Sequence, residues 1–213
     1  MPIEAVAMLK PLILVLIAGL ILWGAIAMAT KEPTFTVQFA QGNFELRDYP
    51  ALAVAEVSVS GKRKEAAGKG FRLLAGYIFG GNTRKRSIAM TAPVTQQVAT
   101  NEKIAMTAPV IQAGSDGNWV IRFIMPEGAT LESLPQPNDP KVQLRMLAPE
   151  RVAVVRFSGL AREESVASNT AALKGFISAH HLQATGAPAL AQYNPPWTVW
   201  FLRRNEVMIP VAR

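Results

Sequence analysis

The chain has 213 residues, a net charge of +7, no cysteine and two histidines, His180 and His181. Half of it is hydrophobic and 17% is charged, which excludes disorder as the main state, and its length suits one domain or one domain plus an anchor. Without cysteine there is no disulfide, thiolate metal site, iron–sulfur cluster or cysteine nucleophile, and two adjacent imidazoles do not suit a three-ligand catalytic metal centre.

Pro11 to Ala29 runs for 19 residues without a charge. As a helix it would span roughly 28 Å, close to the thickness of a bilayer core. Two readings compete. A single-pass anchor suits its length, which exceeds the usual core of a signal peptide. A cleaved signal suits Ala27-Met28-Ala29, a small-x-small sequence. The anchor is favoured, which divides the chain into residues 1–31 and a folded part, 32–213. Lys10 and Lys31 flank the span almost symmetrically, so charge does not orient it. The cleavage-like sequence favours a folded part on the exported side, or one secreted after cleavage. Residues 1–29 hold one acid and one base, so the whole +7 belongs to the remainder. Its bases are scattered, with small clusters at 62–64, 84–86 and 203–204 and no aromatic-interleaved basic stripe, a pattern that does not suit nucleic acid.

In chain order, Thr30 to Gln41 reads as a linker. Asn43 to Tyr49 alternates as a strand, and Ala51 to Ser60 is a second. Lys62 to Phe79 carries Ala67, Phe71, Leu74 and Ile78 at helical spacing, and Gly80-Gly81-Asn82 ends that helix. Gly68, Gly70 and Gly76 weaken it, and serve either close packing or the approach of a flat ligand. Three strands follow, at 87–94, 103–112 and 118–125. Ile88-Ala89-Met90-Thr91-Ala92-Pro93-Val94 recurs unchanged sixteen positions later as 104–110. After a loop at 126–140, strands at 142–147 and 151–157 precede a helix at 162–181 with Val166, Leu173, Phe176, Ile177 and His180 on its apolar face. Strands at 189–193, 197–202 and 206–211 close the chain.

A shift of 98 positions lays Leu46-Arg47 on Leu144-Arg145, Val57 on Val155 and Ser60-Gly61 on Ser158-Gly159. The folded part therefore reads as a duplicated unit of two strands, a helix and further strands. Its class is α+β, with antiparallel pairing and the helices against one side of the sheet.

Phe44-Glu45-Leu46-Arg47-Asp48-Tyr49-Pro50, Tyr77-Ile78-Phe79-Gly80-Gly81-Asn82, the repeated Met-Thr-Ala-Pro-Val strand and Arg203-Arg204-Asn205-Glu206-Val207 together resemble the SOUL haem-binding family, from about Phe35 to Arg213. The resemblance implies a distorted antiparallel β-barrel with two flanking helices, built from two similar halves. It implies haem or free porphyrin bound non-covalently in an apolar cleft beside a helix. The fold also resembles ligand-binding domains of some multidrug-responsive regulators, so fold alone leaves the ligand open.

A porphyrin needs a flat apolar slot and cations for its propionates. Phe71, Leu74, Ile78 and the edge of Tyr77 could form one wall, and Met90, Met106 and Met125 another, with Lys69 and Arg72 for the propionates. Core packing is the competing reading for each apolar residue, and solvent exposure for each base. His180 and His181 are the candidate axial ligands; a helix C-terminus suits a histidine in any case, and binding without a protein ligand is the expectation. No catalytic motif is present: Glu163 and Glu164 are adjacent and do not converge, and Glu56 alternates to the outward, exposed side of its strand. The expected function is a membrane-tethered, non-enzymatic tetrapyrrole binder. The alternatives are a module for other amphipathic molecules and an envelope interaction protein.

Overall fold

In a computed structural model, residues 31–99 and 117–213 are described. The N-terminal apolar segment and the second copy of the repeat lie outside them. Contacts divide the chain into Met1–Lys31 and Glu32–Arg213. The second unit contains strands β1 (Thr36–Gln41), β2 (Phe44–Tyr49) and β3 (Leu52–Ser60), helix α1 (Arg63–Ile78), then β4 (Val94–Val98), β5 (Asn118–Ile124), β6 (Gln143–Leu147) and β7 (Glu150–Ser158). Helix α2 (Glu163–Ala179), β8 (Ala189–Gln192), a 3-10 turn (Trp200–Leu202) and β9 (Arg204–Val211) complete it. Among the described residues no helix is long and apolar enough to cross a membrane.

The nine strands form one antiparallel, curled sheet in the order β1-β2-β7-β9-β8-β4-β5-β3-β6. Setting β1 aside, the order is symmetric about the β8–β4 pair: β2 answers β6, β7 answers β3 and β9 answers β5. The duplication is thus structural, and the first strand of each half is exchanged. β2 pairs with β7 of the second half, and β6 with β3 of the first. Strands β3 and β7 keep the offset of 98. Val57 faces Ile121 and Val155 faces Val207, so by the last strands the offset has fallen to 86. The second half has shorter connections, which is why its correspondence fades along the sequence.

The helices share one face of the sheet. α1 covers Ala53, Ala55, Val57, Ile121 and Phe123 with Leu74, Tyr77 and Ile78. α2 covers Ala153, Val155, Val207, Ile209 and Val211 with Leu173, Phe176 and Ile177. The packed face of α1 is Ala66, Gly70, Leu74, Tyr77 and Ile78, one position away from the expected stripe through Ala67 and Phe71. Gly70 explains the rotation. A β-carbon there would lie 2.4 Å from Ile121 Cγ1, so the helix sits on the sheet at backbone range and Phe71 turns outward.

Three expectations change. The supposed linker contains β1, joined to β2 through a two-residue Gly42-Asn43 turn with Gly42 at φ +58°. The strand expected at 87–94 begins only at Val94; Pro93 cannot donate to a ladder, and the residues before it form isolated bridges. Trp197–Leu202 is a loop ending in a 3-10 turn, because Pro195 and Pro196 stop the preceding strand.

Both helices end alike. Gly81 N–H donates to Gly76 O (2.8 Å) with Gly80 at φ +112°, and Leu182 N–H donates to Ile177 O (2.9 Å) with His181 at φ +53°. A left-handed residue with a β-carbon costs about 1–2 kcal/mol. His181→Gly is therefore expected to stabilise the fold by about 1 kcal/mol, and Gly175→Ala, whose new methyl meets only open space, by up to about 1 kcal/mol. Gly70→Ala is expected to cost roughly 1–3 kcal/mol through its clash with Ile121. Urea denaturation midpoints check all three.

Candidate functional site

The residues singled out around α1 divide into two layers. Leu74, Tyr77, Ile78 and Met125 are core, each no more than 3% exposed, with Met90 packed half-buried against them. The Tyr77 hydroxyl donates to Pro135 O at 2.9 Å, and Ile78 O accepts from Ile88 N–H at 2.8 Å. Among the described residues this layer is filled by packed core side chains. Phe71, Lys69 and Arg72 lie outside it, on the exposed face of α1. Phe71 is 38% exposed, and its ring sets an edge against Phe123 with centroids 5.3 Å apart. Met106 falls outside the described residues.

Beside Phe71 the helix surface is low. A β-carbon on Gly68 would meet only Arg72 Nη1 at 3.7 Å, and one on Gly76 nothing within 4 Å. At the end of the strip stands Phe79, 68% exposed, which the sequence reading did not single out. Asn82 holds the turn behind it. It is fully buried, donates to Tyr77 O (3.0 Å) and Arg86 O (2.7 Å), and accepts from Arg86 N–H (3.1 Å). Two exposed rings, two glycines and two cations therefore lie along the outward side of α1, with Phe71 and Lys69 toward its opposite edges.

The histidines are exposed and lie at the C-terminal end of the other helix. His180 is the C-cap of α2, its ring 4.4 Å from Phe176 and 5.0 Å from Phe39, with Nε2 3.3 Å from Gln41 Oε1. His181 closes the helix in the left-handed conformation. Neither is brought to the α1 face. Among the described residues no group of three or more His, Asp or Glu is placed to hold a metal ion.

The opposite face of the sheet carries charge. Arg47 and Glu206 are both fully buried there, joined by two hydrogen bonds of 2.8 and 3.0 Å. Glu206 also accepts from Tyr193 Oη (2.5 Å), Arg204 Nη2 (2.8 Å) and, at 3.4 Å, Arg156 Nε. Arg47 donates further to Glu45 (2.7 Å) and to Tyr49 Oη (3.1 Å), with Phe35 beneath its guanidinium. Burial by itself would push the Glu206 carboxyl up. The bonds from Arg47 and Tyr193 and the charges of Arg47 and Arg204 outweigh it and hold the group down at about 2. Burial, reinforced by the neighbouring Glu206 carboxylate, raises Tyr193, which stays protonated and donates.

Glu56, expected exposed, is on this same face and only 7% exposed. Its neighbours supply the reason: Arg122 at 2.7 Å and Arg145 at 3.1 Å pair with its two oxygens. Arg47 and Arg145 are the equivalent arginines of the two halves, and each meets a glutamate. A cleft between the two charge groups is lined largely by apolar residues, among them Leu52, Val54, Ile124, Leu147, Val152 and Met208, and its cavity volume is about 80 Å³. Sequence reasoning missed this face; the paired Leu-Arg positions of the 98-residue overlay were the available signal.

Residues 30–210 match the sequence model of the family described as SOUL heme-binding protein. No curated protein sequence matches the chain. The fold is similar to the EcmrR C-terminal domain, with TM-score 0.57 and 11% identity, covering 80% of this chain and 97% of that one. It is also similar to a structure described as a hydrolase from Listeria innocua, with TM-score 0.54 and 13% identity over 82% of this chain and 94% of that one. At these identities the likeness is one of fold alone.

Glu206→Gln leaves Arg47 buried with a neutral acceptor and is expected to cost roughly 3–5 kcal/mol in urea denaturation. The pH dependence has a definite sign. Because folding lowers the Glu206 pKa to about 2, its stabilisation is complete above the ordinary carboxylate value near 4.5 and is lost as pH falls through about 2. That window should contain an acid loss on the order of 3 kcal/mol, which Glu206→Gln removes from the profile.

Proposed function

Because this chain belongs to the SOUL heme-binding protein family, we propose that it binds haem or a related tetrapyrrole on the exposed face of α1, as a binding protein and not an enzyme. The family match across residues 30–210 carries this reading. The geometry supports the location. A macrocycle laid on Gly68 and Gly76 would have Phe71 and Phe79 beside it, with Arg72 and Lys69 in reach of propionates. The cleft on the other face has a cavity volume of about 80 Å³, below the roughly 300 Å³ at which small-molecule pockets usually begin.

Binding on α1 uses no histidine, so apolar contact and charge supply the affinity. That arrangement also favours a second reading: amphipathic anions without iron would bind the same face. The apolar run at 11–29 supports tethering to a membrane, with the folded part on the exported side, or secretion after cleavage. Buffering, delivery or sensing of the ligand would follow from such a position.

Titration of the full chain with haemin, against a non-binding protein of similar charge, is expected to give a saturable one-to-one Soret shift. Phe71→Ala with Phe79→Ala should weaken it about tenfold, corresponding to loss of stacking and burial. His180→Ala with His181→Ala should leave the spectrum unchanged, and iron-free protoporphyrin should bind about as tightly. A shift no greater than the control's would end the haem reading. Loss of the shift in the double histidine variant would move the site to α2.

A further inference from the structure

We propose that the loop Trp197–Leu202 is a membrane-seating element, which places the folded domain in the interface of an anionic lipid bilayer. Within these six positions Trp197, Val199, Trp200, Phe201 and Leu202 are each between 50% and 71% exposed. No other run among the described residues exposes five large apolar side chains. Soluble surfaces scatter such residues singly, and a contiguous group marks an interaction site.

The exposure is built into the loop. Thr198 N–H donates to Pro195 O and Leu202 N–H to Val199 O, both at 3.0 Å. The Arg203 guanidinium crosses beneath, donating through Nε to Thr198 O at 2.8 Å and through Nη2 to Pro196 O. Arg204 N–H closes the base on Asn194 Oδ1 at 2.6 Å. These bonds hold the loop backbone in the conformation that leaves its apolar side chains exposed.

Chemistry selects a bilayer over a protein as the occupant. Docking on a protein uses one face of an element; here nearly every successive side chain projects, which suits penetration. Indole rings prefer the headgroup boundary, where the ring is apolar and the N–H stays wet. Arg203, at the base, makes no ion pair among the described residues, and the chain's net +7 favours anionic lipid. This inference is independent of tetrapyrrole binding and adds a second contact to the tether expected from residues 11–29.

The test uses the full chain reconstituted into phosphatidylcholine vesicles, with and without phosphatidylglycerol, carrying bromine near the headgroup end of the acyl chains. With Trp23 and Trp119 replaced by Phe, only Trp197 and Trp200 report. Their fluorescence is expected to fall by roughly half, further with anionic lipid, and Phe201→Ser with Leu202→Ser should restore most of it. A sister chain retaining only Trp23 reads the N-terminal segment, so failure of the tether and failure of the loop are distinguishable. If replacing Trp119 disturbs folding, the native chain compared with Trp197→Ser/Trp200→Ser gives the same difference. Unquenched Trp197 and Trp200 in both lipids overturn the proposal, and so does quenching indifferent to the Phe201 and Leu202 changes. Energy transfer between copies in place of quenching would also overturn it, in favour of a second copy as the occupant.

Discussion

The sheet depends on one buried ion pair. Arg47 and Glu206 join β2, near the start of the folded part, to β9 at its end, across 159 positions of chain. Each charge alone would be costly in that environment, and each is acceptable only with the other in place. Glu45, Tyr49, Tyr193 and Arg204 take up the remaining donors and acceptors. The network therefore fixes which strands lie on that side of the sheet, because a slip of one residue along β2 or β9 would turn one charge into the apolar helix face.

The two faces divide the work accordingly. Under the helices the sheet is packed with Ala, Val, Ile, Leu and Phe, and Gly70 brings α1 down to backbone range. This closeness fills the layer that sequence reasoning had assigned to a ligand. It also turns Phe71 outward and leaves a low strip on the helix surface. The opposite face holds its charges in matched pairs, with little volume between them. The exposed apolar side chains then lie on outer surfaces, among them Phe71 and Phe79 on α1 and the Trp197–Leu202 rim.

Much of this was legible in the sequence where the signal was periodic or repeated. The 98-residue overlay foretold the duplicated halves, and β3 and β7 occupy positions related by that same offset. Both helices were placed to within two residues. Polar positions were less legible. Glu56 alternates away from the helix face, and alternation alone cannot tell solvent from a second buried face; only the partners Arg122 and Arg145, brought from distant strands, decide it. Arg47 carried no local sign of burial. Thr36–Gln41 gave little strand signal because both of its faces are exposed, and Trp197–Leu202 imitates a strand in composition while its prolines prevent one.

The exchange of β2 and β6 between halves bears on how the chain reaches its native state. β9, the last strand synthesised, is the fourth of nine in the sheet and joins β7 to β8. Until Arg204–Val211 has emerged, the second half lacks its centre and β2 lacks its ionic partner. Neither half is complete without it, and a chain stopped short of Arg204 loses an interior strand. The sheet's interior is therefore closed by the strand nearest the C-terminus, and the charge network is completed in the same event.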